Sequence, residues 1–232
     1  MTAAGWPHVV RLRSNDLVCV RQVRPADADG LADAYTNLGE QSRYRRFFTL
    51  LPELPDSVLR AATEVDHVDH EALVAEPLLR PEIVGECRFV RSAERPDTAD
   101  FAVTVVDGWQ GRGLGSALLE RLSERALELG VEYFTAEVLA ENRTMLAMLD
   151  SIGAVETESH GSTVSARIEI ADRSGPRGQQ LLLRLLAVAA SGQAMCVPAP
   201  LRKVMPAIPD DLAHLVLLPV SAVLGALTAG RG

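Results

Sequence analysis

Apolar positions along the chain follow two periods, and the switches between them outline most of its elements. Leu17 to Val23 alternates as a half-buried strand does, and Arg24-Pro25-Ala26-Asp27 stops it. A helix begins at Ala26 or Asp27 and runs to about Leu38. Pro52 and Pro55 punctuate the next turn, and Ser57 to Glu64 reads as a short helix. Ala72–Ala75 and Ile83–Val90 read as paired strands around the Pro77–Pro81 loop, and Asp100–Val106 as the strand after them. From Gly113 to Leu129 the period lengthens. Leu114, Ala117, Leu118, Leu122, Ala126 and Leu129 fall on one helical stripe, which Gly130 ends. Glu132–Leu139 then reads as a central strand. Asn142–Ile152 reads as a helix with Gly153 as its C′ residue. Val155–His160 and Thr163–Ile170 close the pattern as a hairpin around Gly161.

This pattern divides the chain into a lead-in at 1–16, a domain at 17–172 and a C-terminal extension at 173–232. The last boundary is marked by Asp172-Arg173-Ser174-Gly175-Pro176. The extension is partly helical, at Gln179–Ser191, and its apolar face must be buried, on its own domain or on a neighbour in a homo-oligomer. It holds six basic and two acidic residues, a net of +4, so residues 1–172 carry −12 of the total −8. An acidic domain excludes nucleic acid as the main partner and is compatible with a cationic acceptor. The longest apolar tract, Leu215–Leu227, is broken by Pro219 and Gly225 and is too short for a membrane helix, so no membrane partner is expected. No basic stretch followed by an apolar run opens the chain, so no secretory leader is expected. Cys19, Cys87 and Cys196 are widely spaced. They form no metal-ligand cluster, and their odd number suits a reducing cytoplasm.

The chemistry concentrates after the Asp100–Val106 strand. Gln110-Gly111-Arg112-Gly113-Leu114-Gly115-Ser116 joins that strand to the following helix. A strand, a glycine-rich loop and a helix aim backbone N–H groups and a positive helix end at one point, where a pyrophosphate binds well. The glycine spacing differs from a dinucleotide fingerprint, and no lysine stands where a Walker loop needs one.

Gln-x-x-Gly-x-Gly after a strand resembles the acyl-CoA loop of the GNAT N-acetyltransferase superfamily. The order of the following helix, the Tyr133–Val138 strand, Glu141-Asn142-Arg143 and the helix ending at Ile152-Gly153-Ala154 is similar to that family too. The resemblance covers about Leu17 to Ile170. It implies an α/β fold with a mixed, mostly antiparallel central sheet flanked by helices, followed here by the helical extension. It implies acetyl-CoA as co-substrate and an amine as acceptor, with no metal. Gln110, Gly111, Arg112, Gly113, Leu114, Gly115 and Ser116 would hold the pyrophosphate. Backbone groups of Val103, Thr104 and Val105 would pair with the pantetheine arm, and a local bulge where this strand splays from the Glu132–Leu139 strand would free an N–H for the thioester oxygen. Asn142 matches a family position near the pantetheine. Asp100, ten residues before Gln110, matches the place of the general base, with aspartate where the family usually has glutamate. Glu71, Glu86 and Asp69 are the next carboxylates in line for that role. The family often has a tyrosine seven residues after the asparagine as acid for the thiolate. Leu149 stands there, which leaves the thiolate to solvent.

Arg24-Pro25-Ala26-Asp27 and Ser42-Arg43-Tyr44-Arg45-Arg46-Phe47-Phe48 resemble the bacterial protein-lysine acetyltransferase subgroup, which points to a protein lysine as acceptor. A small-molecule amine acetyltransferase and a non-catalytic acyl-CoA-binding regulator are the other two classes that fit. Asp100 and the acidic domain favour an enzyme over the regulator.

Overall fold

The computed structural model describes residues 6–40, 42, 53–139, 155–160 and 163–170. Eight strands form one sheet in the order β1-β2-β3-β4-β5-β6-β8-β7. They are β1 (His8–Arg11), β2 (Leu17–Gln22), β3 (His70–Pro77), β4 (Gly85–Arg91), β5 (Thr98–Val105), β6 (Tyr133–Leu139), β7 (Val155–His160) and β8 (Thr163–Glu169). Every neighbouring pair is antiparallel except β5 and β6. Helices α1 (Ala28–Thr36) and α2 (Asp56–Thr63) pack on one face, and α3 (Leu114–Glu128) packs on the other.

Alternation along the strands feeds both faces. Leu73, Cys87, Phe89, Phe101 and Val105 join Leu114, Leu118, Leu119 and Leu122 of α3 in the larger core. Ala72 and Val74 turn the other way and meet Leu31, Leu59 and Ala62 of α1 and α2. The α3 stripe is therefore the seam of the larger core, where each fully buried leucine contributes roughly 1.5–3 kcal/mol. Gly85 is glycine for a packing reason: a Cβ there would stand 2.9 Å from Leu118 Cδ1.

Structure starts earlier than the alternation indicates. The stretch read as a lead-in contains β1, which pairs His8 to Arg11 with Val20 to Leu17. Only four residues long and half-exposed in alternation, it carries a weak period. Its turn is nonetheless built from turn-forming residues, with Asn15 at φ +74°, a conformation asparagine tolerates. The helix expected at 142–152 and the extension at 173–232 lie outside the described residues. Among the described residues, no helix is long and apolar enough to cross a membrane.

Candidate active site

The site begins where β5 and β6 part. They pair in parallel only over Thr98↔Tyr133, Ala99↔Phe134 and Asp100↔Thr135, although β5 continues to Val105 and β6 to Leu139. On its other edge β5 pairs β4 in unbroken register, from Gly85↔Val105 to Arg91↔Ala99. The bulge expected from the sequence is therefore absent. The splaying expected of the two parallel strands is present, and it frees the edge of residues 101–105. Val103 and Val105 turn their backbone groups to that edge, where an extended ligand arm can add as a strand does, while Thr104 turns its own to β4.

β5 leads through a single 3-10 turn at Asp107–Trp109 into the glycine loop. Gly111 has φ +74° and Gly113 φ +91°, so two reversals suited to glycine bring the chain round to α3. Gly113 is the N-cap of α3, with no side chain to cap the helix and no acidic residue in its first turn. The first-turn N–H groups, among them those of Gly115 and Ser116, thus have no intrahelical acceptor and face the helix's positive end. That is the arrangement an anionic phosphate needs. Leu114 and Gly115 are buried, Gly111 is exposed, and Arg112 and Ser116 are half-buried.

Two parts of the chain brace this loop. Gln110 turns inward: its amide donates to the Val105 carbonyl (3.1 Å), to Asp107 Oδ1 (3.0 Å) and to Ser42 Oγ (3.4 Å). Its backbone N–H donates to the Asp107 carbonyl at 3.2 Å. Gln110 thus shapes the loop from within, whereas the sequence grouped it with the groups facing the pyrophosphate. Asp107 Oδ2 in turn accepts the Gly39 N–H at 3.1 Å, and a Cβ on Gly39 would lie 2.6 Å from that oxygen. The connection after α1 is thereby fastened to the loop. The second brace is the β1–β2 turn, which sequence reasoning missed; Ser14-Asn15-Asp16 was its signal. Arg13 N–H donates to the Arg112 carbonyl at 3.1 Å. Arg112 Nη1 donates to Asp16 Oδ2 at 3.2 Å, and its guanidinium lies 4.8 Å from the Trp109 ring centre.

Asp100 is the last β5 residue paired with β6, and Thr135 Oγ1 donates to its Oδ1. By alternation it shares a face with Thr104, which lines a cleft between β4–β5 and α1–α2. The cleft walls are apolar, with Leu31, Tyr35, Leu38 and Val58 among them, and Glu86 and Arg88 contribute its polar lining. Arg88 is buried and engaged on all sides. Its Nε donates to Glu86, Nη2 to the Ala62 carbonyl (3.1 Å), and Nη1 lies 3.2 Å from His70 Nε2. Burial first, and the Arg88 charge second, push the His70 pKa down to about 4.

The other carboxylates are placed differently. Glu71 is fully buried on the α3 face, where it meets Arg125 Nε (3.0 Å), His67 Nδ1 (2.6 Å) and Gln22 Nε2 (2.9 Å). Asp69 pairs with Arg91 at 2.8 Å and is 67% exposed. Neither borders the cleft. Asn142, Leu149 and the segment from Arg43 to Phe48 lie outside the described residues. Among the described residues no cluster of His, Cys, Asp and Glu could hold a metal ion.

Comparison with known proteins places this geometry among relatives. Residues 39–154 match the family model described as Acetyltransferase (GNAT) family. Acetyltransferase Pat of Mycolicibacterium smegmatis is 32% identical over 165 residues, which cover 71% of this chain and 49% of that protein. The chain thus spans about half the length of that relative. The GNAT domain of S. lividans PAT is 30% identical and superposes with a TM-score of 0.63, covering 73% of this chain and 99% of that domain. The fold also matches yncA of Salmonella typhimurium, solved with its cofactor acetyl-CoA. There the TM-score is 0.51 and the identity 18%, over 68% of this chain and 97% of the other.

Proposed function

The chain belongs to the GNAT acetyltransferase family, and from that premise we propose that it transfers the acetyl group of acetyl-CoA to the side-chain amine of a protein lysine. One observation carries the reading most. The free edge of β5 runs directly into an uncapped, glycine-shaped helix N-terminus, with a carboxylate at the point where the strands part. An acyl-CoA has those needs in that order: a polar arm to pair, a pyrophosphate to neutralise, and a thioester beside a base.

The chemistry follows from this placement. The loop and the first turn of α3 hold the pyrophosphate, and residues 103–105 pair with the pantetheine arm. A lysine amine has an ordinary pKa of about 10.4, so near neutrality it arrives protonated. Asp100 takes that proton, directly or through one water. The neutral nitrogen then attacks the thioester carbonyl. As the C–N bond forms and the C–S bond breaks, the nitrogen gives up its second proton to solvent, and the thiolate leaves and takes a proton from solvent. The apolar walls of the cleft suit the methylene chain of a lysine. The resemblance of Arg24–Asp27 and Ser42–Phe48 to the protein-lysine acetyltransferase subgroup supports a protein acceptor. Cys19 and Cys87 are free thiols, which supports a reducing, cytoplasmic setting.

Asp100→Asn tests the role of the carboxylate, because it keeps shape and hydrogen bonding and removes only basicity. Turnover near pH 7 is expected to fall about 100-fold or more, the usual size of a general-base effect, with acetyl-CoA affinity unchanged. The deficit shrinks at high pH, where more acceptor is already neutral. Wild-type turnover in this variant would move the base elsewhere, to Glu86 first, since it lines the cleft. Acetylation of lysine-containing peptides, set against a panel of free amines, tests the acceptor.

A further inference from the structure

Thr135 stands at the one point in the sheet where strand pairing ends and the candidate base begins. It faces Asp100 across the last paired position of β5 and β6, and its hydroxyl donates to Asp100 Oδ1. The same oxygen lies 3.4 Å from the Ala99 carbonyl. One hydroxyl proton therefore has two acceptors within reach. We propose that Thr135 is the positioning residue of the base: it holds Asp100 Oδ1 and leaves Oδ2 as the oxygen that receives the acceptor's proton. This rests on the reading of Asp100 as base.

The physical argument has three parts. An aspartate side chain is free to turn about χ2, and its two oxygens are equivalent until something distinguishes them. Thr135 does so with a charge-assisted hydrogen bond from a rigid strand, anchored where the strands are still paired. A β-branched threonine has little χ1 freedom of its own, so the hydroxyl's position is well defined. Next, the Ala99 carbonyl supplies an alternative. Once Oδ2 carries the transferred proton, Oδ1 is a weaker acceptor, and the hydroxyl can rotate toward Ala99 without being left unsatisfied. The carboxyl can therefore change charge at this half-buried edge without stranding a polar group. Finally, the other charged groups on this face have partners of their own. Arg88 of β4 pairs with Glu86, and Arg167, opposite Thr135 on β8, pairs with Asp97 at 3.5 Å.

The test combines Thr135→Val, Thr135→Ser and the double variant with Asp100→Asn, all in the full chain. Thr135→Val is close to isosteric and suits a strand, so it preserves the fold. Its kcat is expected to fall about tenfold, the rate equivalent of one hydrogen bond to a charged group, with KM for acetyl-CoA unchanged. Thr135→Ser restores the rate. In the Asp100→Asn background, Thr135→Val has no further effect on rate. A wild-type rate in Thr135→Val, beside a crippled Asp100→Asn, would overturn the positioning role and leave the base in place. A fully active Asp100→Asn would instead overturn the reading of the base. An equal loss from Thr135→Val in both backgrounds would mean that Thr135 serves the fold alone.

Discussion

His70 begins β3 with Nε2 3.2 Å from Arg88 Nη1, so that nitrogen must accept, and the ring must be neutral there. Its pKa is pushed from 6.5 to about 4, by burial first and Arg88 next; His67 adds a little, and Glu86 and Asp66 oppose. The unfolded chain takes up this proton near pH 6.5, well before the folded one does. The stability contributed by neutral His70 is therefore complete above about pH 6.5 and is lost as pH falls toward about 4, on the order of 3 kcal/mol at most. Thermal denaturation followed by circular dichroism is expected to show Tm falling over that window. His70→Gln, neutral at every pH and still able to accept from Arg88, should flatten part of the slope. An unchanged slope would assign the titration to other groups. Asp66 is not among them: its carboxylate accepts three backbone N–H groups and titrates below its ordinary value, so its contribution is lost only below about pH 4.

At the scale of elements, the glycine loop and the β1–β2 turn act as one unit. Gly113 adopts φ +91°, and a Cβ there would lie 3.2 Å from Arg13 Cγ and 3.5 Å from Arg13 Cδ. Gly113→Ala forces a left-handed conformation on an L-residue, at roughly 1–2 kcal/mol, and pushes the turn away from the loop. Both Tm and acetyl-CoA affinity are expected to fall, since the same residue caps α3 and shapes the anion site. Gly108, two residues past β5's last neighbour Val106, has open space where its Cβ would go. Gly108→Ala is the matched control and leaves both quantities near wild type. Calorimetric titration of the two variants separates a loop that must be glycine from one that merely contains it.

For the whole molecule, the question is how much of the chain the site requires. The site lies within the sheet and its three described helices, and the matched family region ends at residue 154. The S. lividans domain is covered almost completely by 73% of this chain. A chain ending at residue 172 is accordingly expected to bind acetyl-CoA as the full chain does, measured by the same titration. Its oligomeric state, measured by light scattering, reports on the extension separately. Loss of binding on truncation would mean that residues 173–232 complete the site.

Local pattern determined much of this protein. The α3 stripe, the strand–loop–helix around residues 100–129 and the terminal hairpin follow from short-range periodicity and glycine placement, because helix and strand periods act within a few residues. The glycine loop was legible as a candidate anion site for the same reason: its geometry is a local backbone property. Asp100 was legible as a candidate by position alone. Tertiary structure decided where each candidate carboxylate stands. Glu71 and Asp69 were next in line after Asp100 along the chain, but Glu71 faces α3 among Arg125, His67 and Gln22, and Asp69 lies exposed beside Arg91. Which face a side chain takes depends on the register of a whole sheet, and its partners come from residues tens of positions away. The inward turn of Gln110, the β1–β2 brace and the bond from Thr135 to Asp100 are long-range in the same sense. None leaves a periodic trace in the sequence, because each is a meeting of two segments whose separate patterns say nothing of the other.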